Sequence, residues 1–181
     1  MPEGAAPRWK HYRAEKDVMP LGGYAVLVGI FNVGLAALIG WAAARRRLPP
    51  SIGAGDIALL GAATHKLTRL VGKDFVTSPL RAPFVEFAGS SIAGEVKEKS
   101  RGHGLQRAVG DLVTCEYCLA PWVAAGLFAT YLANPRAARF ASALFGAVAV
   151  SDFLNRAYVA AAKKSEAVGA KAKEQRTELG I

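Results

Sequence analysis

Two cysteines, Cys115 and Cys118, are the residues whose type and spacing most directly permit chemistry in this chain. They are its only cysteines, and they form a single Cys-x-x-Cys pair. At the N-terminus of a helix, the dipole and the free amides lower a thiol pKa, because they favour the thiolate. The spacing therefore predicts thiol–disulfide exchange or redox chemistry linked to a quinone.

The same spacing also suits half of a zinc site, because thiolates, imidazoles and carboxylates are the ligands that zinc takes in proteins. His65 and Asp152 could complete a set of four ligands with Cys115 and Cys118, or a dimer could supply four thiolates. A third interpretation is that the thiols pack as small apolar residues at a helix end. A structural disulfide that closes so short a loop would contribute little stability. All three interpretations stay open at this stage.

Further ionisable residues occur in pairs with helical spacing. His65 and Arg69 are four residues apart, as are Asp152 and Arg156, so each pair lies on one side of its own helix. These residues also have purely structural interpretations. His65 could be a hydrogen-bonded histidine at the interface, and Asp152 with Arg156 could form an ion pair within one helix.

Four apolar stretches must position these groups. They cover about 24–44, 53–71, 112–133 and 138–161, and the second is the weakest because charged residues lie near both of its ends. The pattern predicts an all-α integral membrane bundle of four transmembrane helices, with a long polar connection between spans two and three. A polar basic tail (1–20) and a basic C-terminal tail (163–181) flank the membrane domain (21–162).

Alternating spans would place the N-terminus, the connection and the C-terminal tail on one side of the membrane. Those segments hold fifteen Lys and Arg against five on the other side, which predicts a multi-pass protein of the cell membrane with both termini in the cytoplasm. The triple arginine at 45–47 argues for the opposite orientation. In either orientation the second span ends, the third begins and the fourth ends at one face. We expect a polar cluster there, made of Lys66, Arg69, Ser78, Arg81, Asp152 and Arg156.

The net charge of +9 predicts contact with anionic lipid headgroups rather than nucleic acid, because most basic residues flank apolar spans. Small residues in span one permit close packing against other helices, as in a homo-oligomer or a complex with another membrane protein. Ser78 followed by Pro79 predicts the start of a short helix. The stretch from Gly89 to Gly104 is predicted to be mobile.

Three motif blocks resemble a bacterial family known as domain of unknown function 1360, whose members are small multi-spanning membrane proteins, some labelled as sporulation-related. The blocks are HKLTRLVGKDFVTSPLRAPF at 65–84, GDLVTCEYCLAPWVA at 110–124 and VSDFLNRAY at 150–158. The resemblance covers roughly residues 55 to 160 and supplies no established activity. It implies that the site candidates lie in the motif blocks: His65, Lys66, Arg69, Thr77, Ser78, Pro79, Leu80, Arg81, Cys115, Cys118, Trp122, Ser151 and Asp152.

The functional prediction is a non-enzymatic accessory or scaffold protein of the membrane. Binding of a zinc ion at the cysteine pair extends this hypothesis. The alternative is a thiol-dependent membrane oxidoreductase that uses Cys115 and Cys118. Four-helix membrane oxidoreductases that pass electrons from thiols to quinone are similar in outline, but they usually carry a second cysteine pair. Glu116 also stands where related sequences often have proline, which weakens a thioredoxin-like analogy.

Overall fold

The computed structural model describes residues 19–90 and 94–178, with side chains described as far as residue 169. The predicted N-terminal tail lies outside the described residues except for its last two positions. The chain is mostly helical, with one small sheet and a short 3-10 turn at Phe75–Thr77. Its elements in chain order are α1 (Leu21–Ala44), α2 (Ala54–Lys73), α3 (Ser78–Arg81), β1 (Val85–Ser90), β2 (Val96–Ser100), α4 (Gly104–Thr114), α5 (Glu116–Ala133) and α6 (Pro135–Glu178).

Helix α1 contains no charged residue, and its 24 residues extend about 36 Å, enough to cross a hydrocarbon layer of about 30 Å. It ends because Arg46 adopts a left-handed conformation with φ of 51°. The amide of Arg47 then donates to the carbonyl of Ala42, and the amide of Arg46 donates to that of Ala43. This is a Schellman motif, and it satisfies carbonyls that the helix end would leave free.

Helix α6 is longer than the predicted fourth span. It begins at Pro135, where the side-chain oxygen of Asn134 accepts the amide of Ala137 at 3.2 Å, as an N-cap does. It continues through Glu178, so most of the predicted C-terminal tail is helical backbone.

In the part of the chain that the structure describes, two helices are long and apolar enough to cross a membrane: α1 and the 135–169 part of α6. Helices α4 and α5 would supply a third span if this pair, bent by 85°, were counted as one. Helix α2 does not qualify, because Asp56, Lys66, Arg69 and Lys73 interrupt its apolar residues. The prediction of four spans is therefore not confirmed.

The bundle is centred on α2, which packs against both α5 and α6. Asp56 at the start of α2 binds Tyr131 near the end of α5, whereas Arg69 near the end of α2 binds Glu116 at the start of α5. Helices α2 and α5 therefore run antiparallel. Between these polar contacts lies an apolar core whose buried members are Leu60, Ala63, Leu127, Tyr131 and Ala138.

Helix α1 packs mainly on α4 and leaves most of its apolar surface exposed. The two helices approach closely at Gly23, where an added Cβ would lie 2.7 Å from the Cβ of Ala108 and 2.8 Å from the carbonyl oxygen of Gly104. Glycine is required there because there is no room for a side chain. The exposed apolar residues of α1 include Val26, Val28, Ile30, Val33 and Ile39.

Strands β1 and β2 form an antiparallel hairpin where the sequence predicted a mobile segment. Its register runs from Val85 opposite Ser100 to Ser90 opposite Val96, with an irregularity between Phe87 and Gly89. Val85 and Val96 are buried, while most of the other side chains are charged or partly exposed. The all-α class was therefore too narrow, because two buried valines are too weak a pattern to predict a sheet.

Candidate functional site

The cysteine pair lies at the break between α4 and α5. Cys115 has extended backbone angles (φ −96°, ψ 105°), so the chain turns there through 85° before α5 begins at Glu116. The sulfur of Cys115 accepts the backbone amide of Cys118 at 3.2 Å, which makes Cys115 the N-cap of α5. One of the amides at the N-terminus of α5 thus points at this sulfur.

Cys115 and Cys118 are joined as a disulfide, with their Cα atoms 5.2 Å apart. Cys118 is exposed and Cys115 is half-buried. A reacting thiol can therefore approach Cys118 from the surface of the protein. Cys115 is held against the helix terminus.

The disulfide borders a partly open cavity of about 670 Å³ between α1, α4 and the first turns of α5. The rings of Phe31 and Trp122 meet edge to face in its wall, with centroids 5.2 Å apart. Tyr24 donates a hydrogen bond to Asp111 at 2.7 Å, and both residues belong to the lining. The remaining walls are largely apolar and include Leu27, Val28, Leu112 and Pro121.

Ion pairs surround the start of α5 on the side of α2. Arg69 donates to Glu116 at 2.9 Å and also binds Glu95, which Arg156 reaches at 3.3 Å. The ammonium of Lys73 donates to the carbonyl of Thr114 at 2.9 Å, directly before Cys115. The negative charge of Glu116 beside the cysteines is therefore neutralised by Arg69, and a second cation lies close by.

A second network fixes the hairpin on the end of α2. Arg81 is 1% exposed and donates from two nitrogens to the two carboxylate oxygens of Glu98, at 2.6 and 3.1 Å. Its remaining hydrogen bonds go to the carbonyls of Val71 and Asp74 and to the hydroxyls of Thr77 and Ser78. A buried guanidinium with this set of acceptors ties α2, the 3-10 turn and β2 together.

The opposite end of the bundle is defined by Asp56, Tyr131 and Arg139. The guanidinium of Arg139 binds both carboxylate oxygens of Asp56 at 2.7 Å, and the hydroxyl of Tyr131 donates to Asp56 at 2.8 Å. The hydrogen bond from Arg139, followed by that from Tyr131, lowers the pKa of Asp56 to about 2. No cysteine or histidine belongs to this set.

The family model for "Protein of unknown function (DUF1360)" matches residues 59–158, more than half of the chain. The chain belongs to this family. A relative, the sporulation protein YjcA of Bacillus subtilis (strain 168), is 31% identical over 87 residues, which is 46% of this chain and 74% of that protein. No solved structure matches the chain.

The matched segment contains α5, both strands and most of α2. It also contains the cysteine pair and the ion pairs made by Arg69 and Arg81. Helix α1, which supplies one wall of the cavity, precedes the match. The cavity is therefore formed partly by residues outside the matched segment.

The structure distributes the predicted polar cluster over three sets of contacts. Lys66 binds Asp152 at 2.8 Å, while Arg69 and Arg156 meet at Glu95. Ser78 and Arg81 belong to the separate network around Glu98. These groups lie at the same end of α2 as the cysteine pair, which we call the cysteine end.

The four candidate zinc ligands are not brought together. His65 stacks on the ring of Phe153, with centroids 5.5 Å apart, and Asp152 is held by Lys66. Among the side chains that the structure describes, at 19–90 and 94–169, no three His, Cys, Asp or Glu residues are grouped to hold a metal ion. Zinc ligation by this set stays a prediction, and this geometry does not support it.

The partners of Tyr24, Arg69 and Arg81 could not be assigned from the sequence. Glu95, Glu98 and Asp111 come from the connection, and their positions follow from the hairpin that the pattern did not predict. Asp56 and Arg139 are opposite charges at the starts of α2 and α6. Their ion pair could have been predicted from the sequence, because alternating spans place these two helix starts at the same face.

Proposed function

We propose that this chain is an integral membrane protein that carries out thiol–disulfide exchange at Cys115 and Cys118. The observation that carries the proposal is the disulfide at the N-terminus of α5, with Cys118 exposed and both cysteines lining a cavity. Two helices of sufficient length and apolarity support the membrane assignment, as does the exposed apolar surface of α1.

The local electrostatics favour cleavage of the disulfide with Cys115 as the leaving group. A partner thiolate attacks the sulfur of Cys118, the more exposed of the two cysteines, and the bond between the two cysteine sulfurs breaks. Cys115 leaves as a thiolate at the amides of the α5 N-terminus, with Glu116 neutralised by Arg69. The second thiol of the partner then attacks the mixed disulfide and releases Cys118, so the partner is oxidised and the pair becomes a dithiol.

A purely structural disulfide explains this arrangement less well. A loop of four residues stabilises the folded state by about 2 kcal/mol in the chain-entropy model, less than longer loops do. If the chain crosses the membrane with the predicted alternating spans, the excess of Lys and Arg places the cysteine end in the cytoplasm, where disulfides are usually transient and either catalytic or redox-sensing.

The test is a redox titration of the purified full-length protein in detergent. The protein is equilibrated with mixtures of a reduced and an oxidised dithiol, and its free thiols are counted by alkylation and mass spectrometry. We expect a reversible two-electron transition, with the fold unchanged by circular dichroism. Cys118→Ser should lose the transition, because Cys115 has no partner left. A pair that stays oxidised, or stays reduced, across the whole titration would refute the proposal.

A non-enzymatic scaffold is the second candidate. The observation that favours it is the hairpin, which the buried contact between Arg81 and Glu98 holds on the end of the bundle as a fixed surface. The Bacillus relative is named a sporulation protein, which supports a place in sporulation for such a scaffold. In the scaffold case, the variant Cys115→Ala/Cys118→Ala would keep its biological function in cells, whereas the exchange proposal predicts loss.

Zinc binding is a third candidate function, and the same purified protein can test it. The disulfide lacks the thiolate charges that zinc ligation requires, so only the dithiol form could bind the ion. Elemental analysis of the reduced protein tests this prediction, with the cysteine variant as its control.

A further inference from the structure

We propose that the cavity beside the disulfide binds a membrane-soluble quinone, which reoxidises the Cys115–Cys118 dithiol. This inference rests on the proposed exchange function and names the oxidant for it. The cavity lies where such a molecule must react, since both cysteines belong to its lining.

The volume and the largely apolar walls of the cavity suit an apolar ring. Its volume of about 670 Å³ falls within the range of about 300 to 1,000 Å³ typical of small-molecule sites. The aromatic side chains of Phe31 and Trp122 provide surfaces against which a ring can pack. The oxygen of Tyr24, whose proton is donated to Asp111, can accept a hydrogen bond from a hydroxyl of the quinol that the reaction forms.

Access from the bilayer is provided by α1. Val28 borders the cavity and is 60% exposed, and its neighbours along the outer surface of α1 are also exposed and apolar. If α1 spans the membrane, as we propose, lipid contacts the same helix that forms the cavity wall. A lipid-soluble ligand can then enter laterally, while water-soluble dithiols approach Cys118 from the aqueous side.

The reaction balances without a further reagent. The two cysteines lose two electrons and two protons, both S–H bonds break, and one S–S bond forms. The quinone gains the two electrons and two protons, and its two carbonyl oxygens become the hydroxyls of the quinol. A partner dithiol of the class named above then reduces the disulfide again.

Two substitutions on α1 test the role of the cavity without changing the cysteines. Val28→Trp places a large side chain into the cavity from an exposed position, so it removes no core contact. Val26→Trp is the matched control, because Val26 is 48% exposed on the same helix and does not line the cavity. Both variants are first checked for the wild-type fold by circular dichroism and size-exclusion chromatography.

The reduced full-length protein, in lipid nanodiscs, is mixed with a short-chain ubiquinone, and quinol formation is followed by its absorbance. We expect one quinol for each disulfide formed, without a quinone adduct in the mass spectrum. We also expect Val28→Trp to slow the reaction on the order of tenfold or more, since it displaces the reacting atoms, whereas Val26→Trp does not. Reduction of the oxidised protein by a water-soluble dithiol should be equally fast in the wild type and in Val26→Trp.

The outcomes separate the two proposals. If dithiol exchange is reversible but the quinone gives no quinol, or oxidises Val28→Trp as fast as wild type, the cavity is not a quinone site and the exchange function stands. If the pair does not exchange with any dithiol, the proposed function itself fails. An adduct in place of a disulfide would also overturn the quinone proposal.

Discussion

Both ends of the helical bundle use an arginine that binds a carboxylate through two nitrogens, but they do so in different surroundings. At the cysteine end, Arg81 is 1% exposed and pairs with Glu98; at the opposite end, Arg139 is 53% exposed and pairs with Asp56. An ion pair removed from water leaves a costly unpaired charge when one partner is deleted, whereas an exposed pair is screened by solvent. The cysteine end should therefore be the less tolerant of substitution.

The largest effect is expected for Arg81→Met, which leaves the carboxylate of Glu98 buried without its cation. We expect the free energy of unfolding in detergent to fall by about 3 to 5 kcal/mol. The double variant Arg81→Met/Glu98→Met should recover part of this loss, because no buried charge remains. Equal loss in the single and double variants would show that the carbonyl and hydroxyl contacts of Arg81 matter more than its charge.

The next effect concerns the contact between α1 and α4 at the cysteine end. Gly23→Ala would place a methyl group 2.7 Å from the Cβ of Ala108, and we expect a destabilisation of about 1 to 3 kcal/mol from overpacking. Gly22→Ala is the matched control, because a Cβ there meets no described atom within 4 Å. Thermal denaturation of both variants distinguishes the two positions. Similar melting temperatures would mean that α1 does not pack on α4 at Gly23.

A gain in stability is expected at the opposite end. Arg46 adopts a φ of 51°, which costs an L-residue about 1 kcal/mol or more relative to glycine. Arg46→Gly should therefore raise the free energy of unfolding by about that amount. Arg45→Gly provides the comparison, because Arg45 has a φ of −90° and gains nothing from glycine. A loss of stability in Arg46→Gly would indicate that the Arg46 side chain makes a contribution larger than the backbone strain.

The smallest effect is a pH dependence at the opposite end. The folded pKa of Asp56 is about 2, below its unfolded value of about 3.9, so its contribution to stability is present above pH 4. That contribution is lost as the pH falls from about 4 through 2, where the carboxylate takes up a proton. Asp56→Asn should remove this part of the acid dependence, as measured by melting temperature against pH. An unchanged acid profile would mean that other carboxylates dominate it.

The sequence predicted the helices better than the connection between them. The apolar stretch at 24–44 lies within α1, because a long uncharged run permits few structures other than a helix. The stretch at 112–133 instead divides at Cys115, because a local break depends on backbone angles that hydropathy does not encode. The hairpin was missed for a related reason: its charged strands are held by Arg81 and two buried valines rather than by an apolar run.

The candidate site was also predicted only in part. The spacing of Cys115 and Cys118 predicted redox chemistry as one of three interpretations, and family membership is confirmed by the match over residues 59–158. The cavity could not be predicted, because Phe31 and Trp122 lie on helices far apart in sequence and meet only through packing. The contacts of Glu95 with Arg69 and Arg156 could not be predicted either, because they depend on the position of the hairpin.

By itself the sequence determined which segments are apolar helices, where the thiols stand relative to one of them, and to which family the chain belongs. These are local properties, since hydropathy, residue spacing and motif content can be read along the chain without knowing its neighbours in space. Tertiary structure alone decided that the disulfide borders a cavity, that Arg69 neutralises Glu116, and that His65 meets Phe153 instead of a metal ligand. Those outcomes depend on helix angles and packing distances, which all the elements set together.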